Sequence, residues 1–333
     1  MSGTGNTAHA ASVIAKEMND VGWRAQTAEI RKGVPMAQLA ADADLLILCF
    51  PVLGFGMPAL VRTSLRGIKG NRRKAAIFAT WGGEPGAALL QARWFLGRHG
   101  FRVVCATGAA YPFQWTQMMS PPKEDEARET VASGDEEARA FAKALLEGRP
   151  RSTAATNPLS VLLGLLVAWL YTLIGRHGLG AMYAADERCK ACGNCVPDCP
   201  AGVIEIAGTG SARRPRWRFG CQGCNRCINL CPRQAVQVSP LRTAIHLLLN
   251  VVVVIAIVIE LNRVVAALPP LPGPHAVSTV AYIMILAVLI VLGSWLQFVV
   301  LEPLLFWLES IPFVRKAVAK SWTSRFRRYH CAL

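Results

Sequence analysis

Apolar and polar positions divide the chain into three parts. In the first part, short apolar runs at 45–50, 75–79 and 103–106 are separated by stretches with helical periodicity. Apolar runs of this length between helices are typical of a parallel sheet with crossover helices. We therefore predict a doubly wound α/β domain over residues 1–148, closed by a charged helix at 123–147.

The last part contains two long apolar segments, 243–259 and 277–301, which carry no Asp, Glu, Lys or Arg. As helices they would reach about 26 and 37 Å, enough to cross the hydrocarbon of a bilayer. We predict an α-helical transmembrane hairpin over 241–309, with a proline-rich turn at 269–274. A basic cytoplasmic tail is expected at 310–333.

A third segment, 159–175, is also free of charged residues. If it crossed the membrane, the polar parts on its two sides would face opposite compartments. With two later spans, the basic tail would then lie outside, against the positive-inside tendency. We therefore predict a linker and an apolar interfacial helix over 149–183, and a third span is the alternative.

Charge supports a membrane-associated protein. The formal net charge is +15, 53% of residues are hydrophobic and the mean hydropathy is +0.32. No block of the sequence is typical of a nucleic-acid-binding arm, and basic surfaces beside membrane segments favour anionic lipid or acidic redox partners. Both ends of the hairpin are predicted to be cytoplasmic, in a multi-pass inner-membrane protein, because basic residues flank it: Arg233 and Arg242 before, and Arg315, Lys316, Lys320, Arg325, Arg327 and Arg328 after.

The middle part, residues 184–240, holds eight of the eleven cysteines. They form two copies of Cys-x-x-Cys-x-x-Cys-x-x-x-Cys-Pro, with cysteines at Cys189, Cys192, Cys195, Cys199 and at Cys221, Cys224, Cys227, Cys231. Paired CxxC motifs can also bind zinc, which is the alternative. Four cysteines per copy with a trailing proline favour iron–sulfur clusters, which are assembled on reduced thiols.

This repeated motif resembles that of the bacterial two-cluster ferredoxins. The resemblance implies a small α+β domain with two [4Fe-4S] clusters, in which the fourth cysteine of each copy binds the cluster of the other copy. One cluster would be held by Cys189, Cys192, Cys195 and Cys231, and the other by Cys221, Cys224, Cys227 and Cys199.

Three loops of the first part could bind a ligand. The first loop opens a predicted helix, where glycines, backbone amides and hydroxyls are suited to an anion. It consists of Ser2, Gly3, Thr4, Gly5, Asn6 and Thr7. The loops at 51–58 and 80–86 follow two of the predicted strands, at the sheet edge where such domains bind ligands.

Residues 1–148 resemble flavodoxin through these three loops. The resemblance implies FMN, with its phosphate in the first loop and its ring bordered by Pro51, Gly54, Phe55, Thr80, Trp81, Gly82 and Gly83. Flavodoxins place a strand directly before the phosphate loop, whereas here only Met1 precedes it. Either the chain begins upstream of Met1, or the sheet lacks its first strand and flavin binding is compromised. The aromatic segment 111–115 is either a lid over the flavin or packed on the domain's own core.

The first part together with 157–238 resembles the flavodoxin–ferredoxin fusion proteins. The resemblance implies an electron-transfer protein with FMN and two [4Fe-4S] clusters in one polypeptide. With the predicted hairpin as its anchor, we expect a membrane-anchored protein that passes electrons between FMN and the clusters, to or from a redox protein or membrane redox complex. The alternative is an iron–sulfur subunit, or an assembly or sensor factor, with a non-functional flavodoxin domain. No acid, base or nucleophile constellation predicts a separate catalytic site.

A quinone reductase is less favoured by the sequence, because intramembrane polar residues are few. Glu260 and Arg263 are expected to form an ion pair at helical spacing. His246 is a lone histidine without an evident second partner, so it is not expected to be a haem ligand.

Overall fold

The computed structural model describes residues 1–149, 158–267 and 275–331. Most of the predicted linker, at 150–157, and the predicted proline-rich turn at 269–274 lie outside the described residues.

A parallel sheet forms the centre of the N-terminal part, residues 1–148. Its three strands lie side by side in the order β1–β2–β3: β1 is Leu45–Pro51, β2 is Lys74–Trp81 and β3 is Arg102–Ala110. This confirms the parallel sheet predicted from the three apolar runs. In the described part of the chain no strand precedes the first helix, so the sheet has the three strands expected from the sequence.

Helices cover both faces of this sheet: α1 is Asn6–Asp20, α2 is Met36–Leu39, α3 is Ala59–Ser64, α4 is Ala88–Arg98 and α5 is Glu124–Leu146. Neighbouring residues of β2 point to opposite faces, as the period of a strand requires. Phe78 packs with α1 and α5, with its ring 5.2 Å from that of Phe141, whereas Ile77 packs with α3 and α4. Both side chains are fully buried, and each contributes about 1.5–3 kcal/mol to folding.

A long apolar helix follows the N-terminal part. It consists of α6, Pro158–Leu170, a π-helical turn at Tyr171–Gly175, and α7, Arg176–Ala181. One face of α6 packs on N-terminal loops: Ala168 is buried and sits against Gly56, and Gly164 approaches Ala87. The other face exposes leucines and a tryptophan, among them Leu162, Leu166 and Trp169. The helix therefore lies along the N-terminal part with an apolar face turned outward.

The cysteine-rich part, residues 184–240, is built from short elements. Strand β4, Tyr183–Ala185, pairs antiparallel with β7, Val236–Val238, and β5, Ile204–Ala207, pairs antiparallel with β6, Arg214–Trp217. Helices α8, Cys195–Asp198, and α9, Arg226–Leu230, each contain one motif cysteine. Tyr183 and Trp217 stack with ring centroids 5.5 Å apart and belong to the same hydrophobic core as Phe50 of β1. The N-terminal and cysteine-rich parts therefore share one core.

Two further long apolar helices follow, α10, Pro240–Ala267, and α11, His275–Leu308. By length and composition, each of these two helices could cross a membrane, and so could the helix over Leu159–Ala181. Helix α10 packs closely on α11 at Gly293, because a Cβ there would lie only 2.8 Å from Val253 and 3.0 Å from Ile257. At the far end of α10, Arg263 pairs with Glu260 at 2.8 Å, as the sequence predicts.

The C-terminal residues fold back onto the rest of the chain. Helix α12, Pro312–Ala319, and the 3₁₀ turn Trp322–Arg325 bring them to the N-terminal part. Trp322 Nε1 donates to the Gln117 carbonyl at 2.9 Å, and Arg327 donates to the Pro121 carbonyl at 2.7 Å. The backbone N–H of Cys331 donates to the Thr4 carbonyl at 2.8 Å. The basic tail is thus held by protein contacts as far as residue 331.

Candidate metal centres and cofactor cavity

The two cysteine motifs fold into copies of the same local backbone. In each copy, the residues two and four places after the first cysteine have positive φ: Ala191 and Gly193 in one, Gly223 and Asn225 in the other. The residue three places after the fourth cysteine also has positive φ, and its N–H donates to that cysteine's carbonyl. These residues are Gly202, whose N lies 3.1 Å from the Cys199 carbonyl oxygen, and Gln234, whose N lies 2.8 Å from the Cys231 carbonyl oxygen. The sequence repeat is therefore a structural repeat.

The eight thiols form two groups, and each group combines three cysteines of one motif with the fourth cysteine of the other. The pKa of Cys195 is raised to about 12, mainly by burial and in addition by the neighbouring thiols of Cys189, Cys231 and Cys192. Cys231 is thus the one member of this group that comes from the second motif.

The other group is arranged in the same way. Burial raises the pKa of Cys221 to about 12 and that of Cys224 to about 11, and nearby Cys199, from the first motif, adds to both shifts. Cys227 is near the same three thiols. The two groups coincide with the two ligand sets that the ferredoxin resemblance implies.

The surroundings of the second group suit a buried cluster. Its four cysteines line a small cavity with the apolar side chains of Tyr183, Val203, Ile204 and Trp217. Backbone N–H groups point at sulfur in both groups, from Gly223 to Cys221 Sγ at 3.4 Å and from Ala235 to Cys231 Sγ at 3.3 Å. Such N–H···S bonds stabilise cluster thiolates and tune their potential. The first group is more open, because Cys192 is exposed.

Among the described residues, no three His, Cys, Asp or Glu side chains are placed to hold one metal ion.

A cavity of about 820 Å³ lies beside the second cysteine group. Loops of the N-terminal part, the Gly223–Asn225 turn of the second motif, and the apolar helices all contribute to its wall. Every residue predicted for FMN lines it except Gly5: Ser2, Gly3, Thr4, Asn6, Thr7, Pro51, Gly54, Phe55, Thr80, Trp81, Gly82 and Gly83. Gly5 instead faces Cys331, whose carbonyl oxygen would lie 2.2 Å from a Cβ at that position.

The first loop leaves one polar group without a partner. Ser2 and Thr4 are buried, and the Thr4 hydroxyl has no hydrogen-bond partner among the described residues. By contrast, the hydroxyls of Thr7 and Thr80 bond each other at 2.7 Å. An unsatisfied buried hydroxyl costs about 1–3 kcal/mol, and an oxyanion at the start of α1 would satisfy it. The loop therefore fits a phosphate group.

Within the aromatic segment 111–115, one residue packs on the domain's own core and two other aromatic residues line the cavity. Tyr111 is buried and donates to Asp135 at 3.1 Å, so it packs on the domain's own core. Phe113 packs against Gly82, where an added Cβ would lie 2.5 Å from its ring. Phe113 and the exposed Trp115 line the cavity, on the side of the predicted flavin loops.

The part of the cavity wall that the apolar helices form was not predicted from the sequence. We call it the inner end of the cavity: it is formed by residues of the three apolar helices, namely Val167, Ile174, Leu179, Thr243, His246, Leu247, Asn250 and Phe298. Tyr171 links this end to the second motif, because its hydroxyl donates to the Gln222 carbonyl at 2.8 Å. The spacing of His246 and Asn250, one helical turn apart in an otherwise apolar segment, was the available signal.

Charged side chains are buried beside the inner end. Arg242 of α10 bonds Glu302 of α11 and Glu309, the residue directly after α11, and Glu309 also pairs with Arg214 of β6 at 3.3 Å. His246 has a partner that the sequence does not indicate, because its Nε2 lies 2.8 Å from Glu302 Oε1. We call these five residues the buried charge network. The charge-free segment 277–301 ends one position before Glu302.

The network changes the interpretation of two predicted basic features. Arg242, counted as a flanking charge of the hairpin, is buried in ion pairs. Arg214 belongs to the basic segment 213–218 between the two cysteine motifs, whose composition is typical of an exposed surface. It is instead buried, with its guanidinium 4.1 Å from the centre of the Phe306 ring. The cysteine-rich part is thereby attached to the end of α11.

Substitution of Gly54 by alanine is expected to destabilise the protein. Gly54 has a φ of +56°, and an added Cβ would lie 2.2 Å from Tyr171 Cγ. Overpacking of this kind costs about 1–3 kcal/mol. Gly83→Ala is the matched control, because it lines the same cavity and a Cβ there meets no atom within 4 Å. Thermal unfolding of both variants without added flavin measures the difference, and equal Tm values would contradict the Gly54–Tyr171 contact.

Comparison with known proteins identifies one segment. A family model for the 4Fe-4S dicluster domain matches residues 188–236, a range that contains all eight motif cysteines. No curated protein matches the chain at a significant level. Residues 188–236 are thus similar to 4Fe-4S dicluster domains, which supports iron–sulfur clusters, and with them electron transfer, as the role of these cysteines.

Proposed function

We propose that this chain is a membrane-anchored electron-transfer protein that passes electrons between FMN and two [4Fe-4S] clusters, to or from a redox partner. Iron–sulfur clusters exchange single electrons, and a flavin can accept two electrons and release them one at a time. The observation that carries the proposal is the cavity itself. Its wall combines the predicted flavin loops with Cys224, a predicted cluster ligand.

The chain's own residues would hold the two kinds of cofactor close together. The crossed cysteine groups would bind the clusters, the Ser2–Thr7 loop the phosphate, and Phe55 and Trp81 would border the ring. The first loop touches the second motif directly, because a Cβ on Gly3 would lie 2.5 Å from the Cys224 carbonyl oxygen. Such contact keeps the distance for electron transfer short.

We place the protein in the cytoplasmic (inner) membrane, with the flavodoxin-like and ferredoxin-like domains facing the cytoplasm. In this arrangement α10 and α11 are the spanning hairpin, and the helix at 159–181 lies in the interface. Three contacts support the interfacial position: Gly164, Ala168 and Tyr171 pack against Ala87, Gly56 and Gly54. A span with these contacts would draw polar loops into the hydrocarbon, at a high cost. Basic residues after the hairpin support the orientation.

The alternative function is an iron–sulfur subunit, or an assembly or sensor factor, whose flavodoxin-like domain binds no flavin. One observation favours it. The tail bonds the first loop through Tyr329 and Cys331, with Tyr329 Oη 2.8 Å from Asn6 Oδ1. The content of flavin in the purified protein separates the two functions.

Thr4→Val is expected to weaken FMN binding about tenfold or more, since a hydrogen bond to a charged group contributes about 1.5–3 kcal/mol. The Tm of the flavin-free protein should not fall, because the Thr4 hydroxyl has no partner within the described protein. Fluorescence titration with FMN measures the affinity. Ser12→Ala on the exposed side of α1 is the control. Equal affinities for the two variants would remove Thr4 from the site, and no binding by any form would favour the alternative function.

A further inference from the structure

The inner end of the cavity is not needed for flavin. Its position is distinctive, because it lies where the three apolar helices meet, and it continues without a break to the predicted flavin loops and to Cys224. The whole cavity, about 820 Å³, is near the upper limit of the roughly 300–1,000 Å³ typical of ligand sites. It therefore offers space for a second ligand next to a flavin.

Polar groups stand on the apolar wall of the inner end. Asn250 Nδ2 donates one N–H to the His246 carbonyl at 3.0 Å, and its Oδ1 accepts from Ser294 at 2.9 Å. An amide nitrogen carries two N–H groups, so one of them is left for a ligand. The Thr243 hydroxyl donates to the Ser239 carbonyl at 2.8 Å and keeps its capacity to accept. The wall thus offers both a donor and an acceptor.

His246 lies beside this space with both ring nitrogens in polar contacts. Its Nε2 contacts the Glu302 carboxylate, and its Nδ1 lies 3.3 Å from Gln297 Nε2. Arg214 and Arg242 balance the charges of Glu302 and Glu309 in the buried charge network. Ionisable groups buried among membrane helices are costly and mark ligand or proton sites. An aromatic ring lies next to the imidazole as well, with the Phe298 centroid 5.5 Å away.

We propose that the inner end of the cavity binds the head group of a lipid-soluble quinone. A quinone has a flat ring, two carbonyl oxygens and an apolar tail. The ring fits beside Phe298, and a carbonyl oxygen accepts from the free N–H of Asn250. The tail leaves past Leu247 and Val167, which are 59% and 40% exposed on the apolar helices. A lipid acyl chain has the same apolar character but no use for the polar groups. The inference deepens the proposed function, on which it rests, by naming the class of membrane redox partner.

The test uses photoaffinity labelling of the detergent-solubilised full chain with an azido derivative of a short-chain quinone. Labelled peptides are mapped by mass spectrometry, and affinity is measured by competition with the unmodified short-chain quinone. Leu247→Trp fills the tail opening and leaves the buried charges intact. Leu248→Trp is the matched control, since Leu248 is the next residue of α10, is 68% exposed and does not line the cavity. Asn250→Leu removes the free amide donor.

Labelling is expected on α10 and α11 near His246 and Phe298. Leu247→Trp and Asn250→Leu should each weaken competition at least about tenfold, whereas Leu248→Trp should not change it. Equal competition in Leu247→Trp and Leu248→Trp would overturn the proposal. If a single-chain lipid, which has no quinone ring, competed with the label as well as the short-chain quinone does, the inner end would be assigned to a lipid chain instead.

Iron and flavin contents of the same preparations separate this inference from the proposed function. Full iron and flavin content without specific labelling would refute the quinone site and leave the proposed function standing. Specific labelling of a chain that binds no flavin would keep the quinone site and refute the proposed function.

Discussion

Replacement of Cys199 by serine is expected to remove the same cluster as replacement of Cys224, although the two cysteines belong to different motifs. The structure groups Cys199 with the thiols of the second motif. Each replacement should lower the iron content from about eight to about four per chain, because a cubane missing one of four ligands is not retained in full. The remaining signal in electron paramagnetic resonance should be the same for both variants.

The complementary pair gives the matched comparison. Cys231→Ser should remove the cluster of Cys189, Cys192 and Cys195, and should leave the signal that the first pair loses. Cys49→Ala lies outside both motifs, on β1, and should retain about eight irons. The crossed assignment is contradicted when Cys199→Ser and Cys189→Ser give the same residual spectrum. Loss of both clusters in every single variant would show that the two sites assemble as one unit.

Arg242→Met is expected to destabilise the protein by about 3–5 kcal/mol, the cost of leaving a buried charge without its partner. Arg242 is 4% exposed and is the shared partner of Glu302 and Glu309. The double variant Arg242→Met/Glu302→Gln should recover part of this loss, because Glu309 keeps Arg214 as a partner. Denaturant titration in mixed detergent micelles measures the free energy of unfolding.

The control for this experiment is the exposed ion pair at the other end of α10. Arg263 and Glu260 pair at 2.8 Å, with their side chains 71% and 65% exposed. Exposed pairs contribute no more than about 1 kcal/mol, so Arg263→Met should be nearly neutral. The structure is wrong about the buried charge network if Arg242→Met and Arg263→Met have equal effects.

Features encoded by local patterns could be predicted from the sequence. The three strands were predicted because their apolar runs are short, continuous and separated by helices. The two cysteine groups were implied by the resemblance to two-cluster ferredoxins, which rests on the spacing of the cysteines. The structure adds that the two motifs repeat the same positive-φ positions, such as Ala191 and Gly223. The flavin loops were placed together because the carboxyl ends of parallel strands meet at one edge of a sheet. In each case the signal lies within a few residues.

The inner end of the cavity could not be predicted in the same way, because its contacts join distant positions. His246 meets Glu302 from 56 residues away, and Arg242 meets Glu309 from 67. The charge-free segment 277–301 ends before both glutamates, so hydropathy alone does not indicate that Glu302 and Glu309 meet residues of α10. His246 therefore has no evident partner in the sequence.

The C-terminal tail illustrates the same limit. Its positive charges predict attraction to anionic lipid, but charge alone does not distinguish a lipid surface from backbone carbonyls. Arg327 bonds the Pro121 carbonyl, and Cys331 bonds Thr4 at the opposite end of the chain. The same contacts bring the tail beside the predicted phosphate loop.

The long helix at 159–181 has a related explanation. Its composition is that of a membrane span, and its outward face exposes large apolar side chains. Its inner face, however, is made of small residues, so that Gly164 and Ala168 approach the N-terminal loops closely. Hydropathy averages over the two faces and cannot separate a span from a helix that packs on a domain.

The central claim is that one chain carries a flavin and two iron–sulfur clusters as an electron-transfer unit. Anaerobic purification of the full chain in detergent, followed by iron, sulfide and FMN analysis and a redox titration, tests it most directly. The account predicts about eight irons and one FMN per chain, with absorbance and paramagnetic signals of both cofactor types that change reversibly on reduction. Eight irons without FMN, even after incubation with excess FMN, would contradict it.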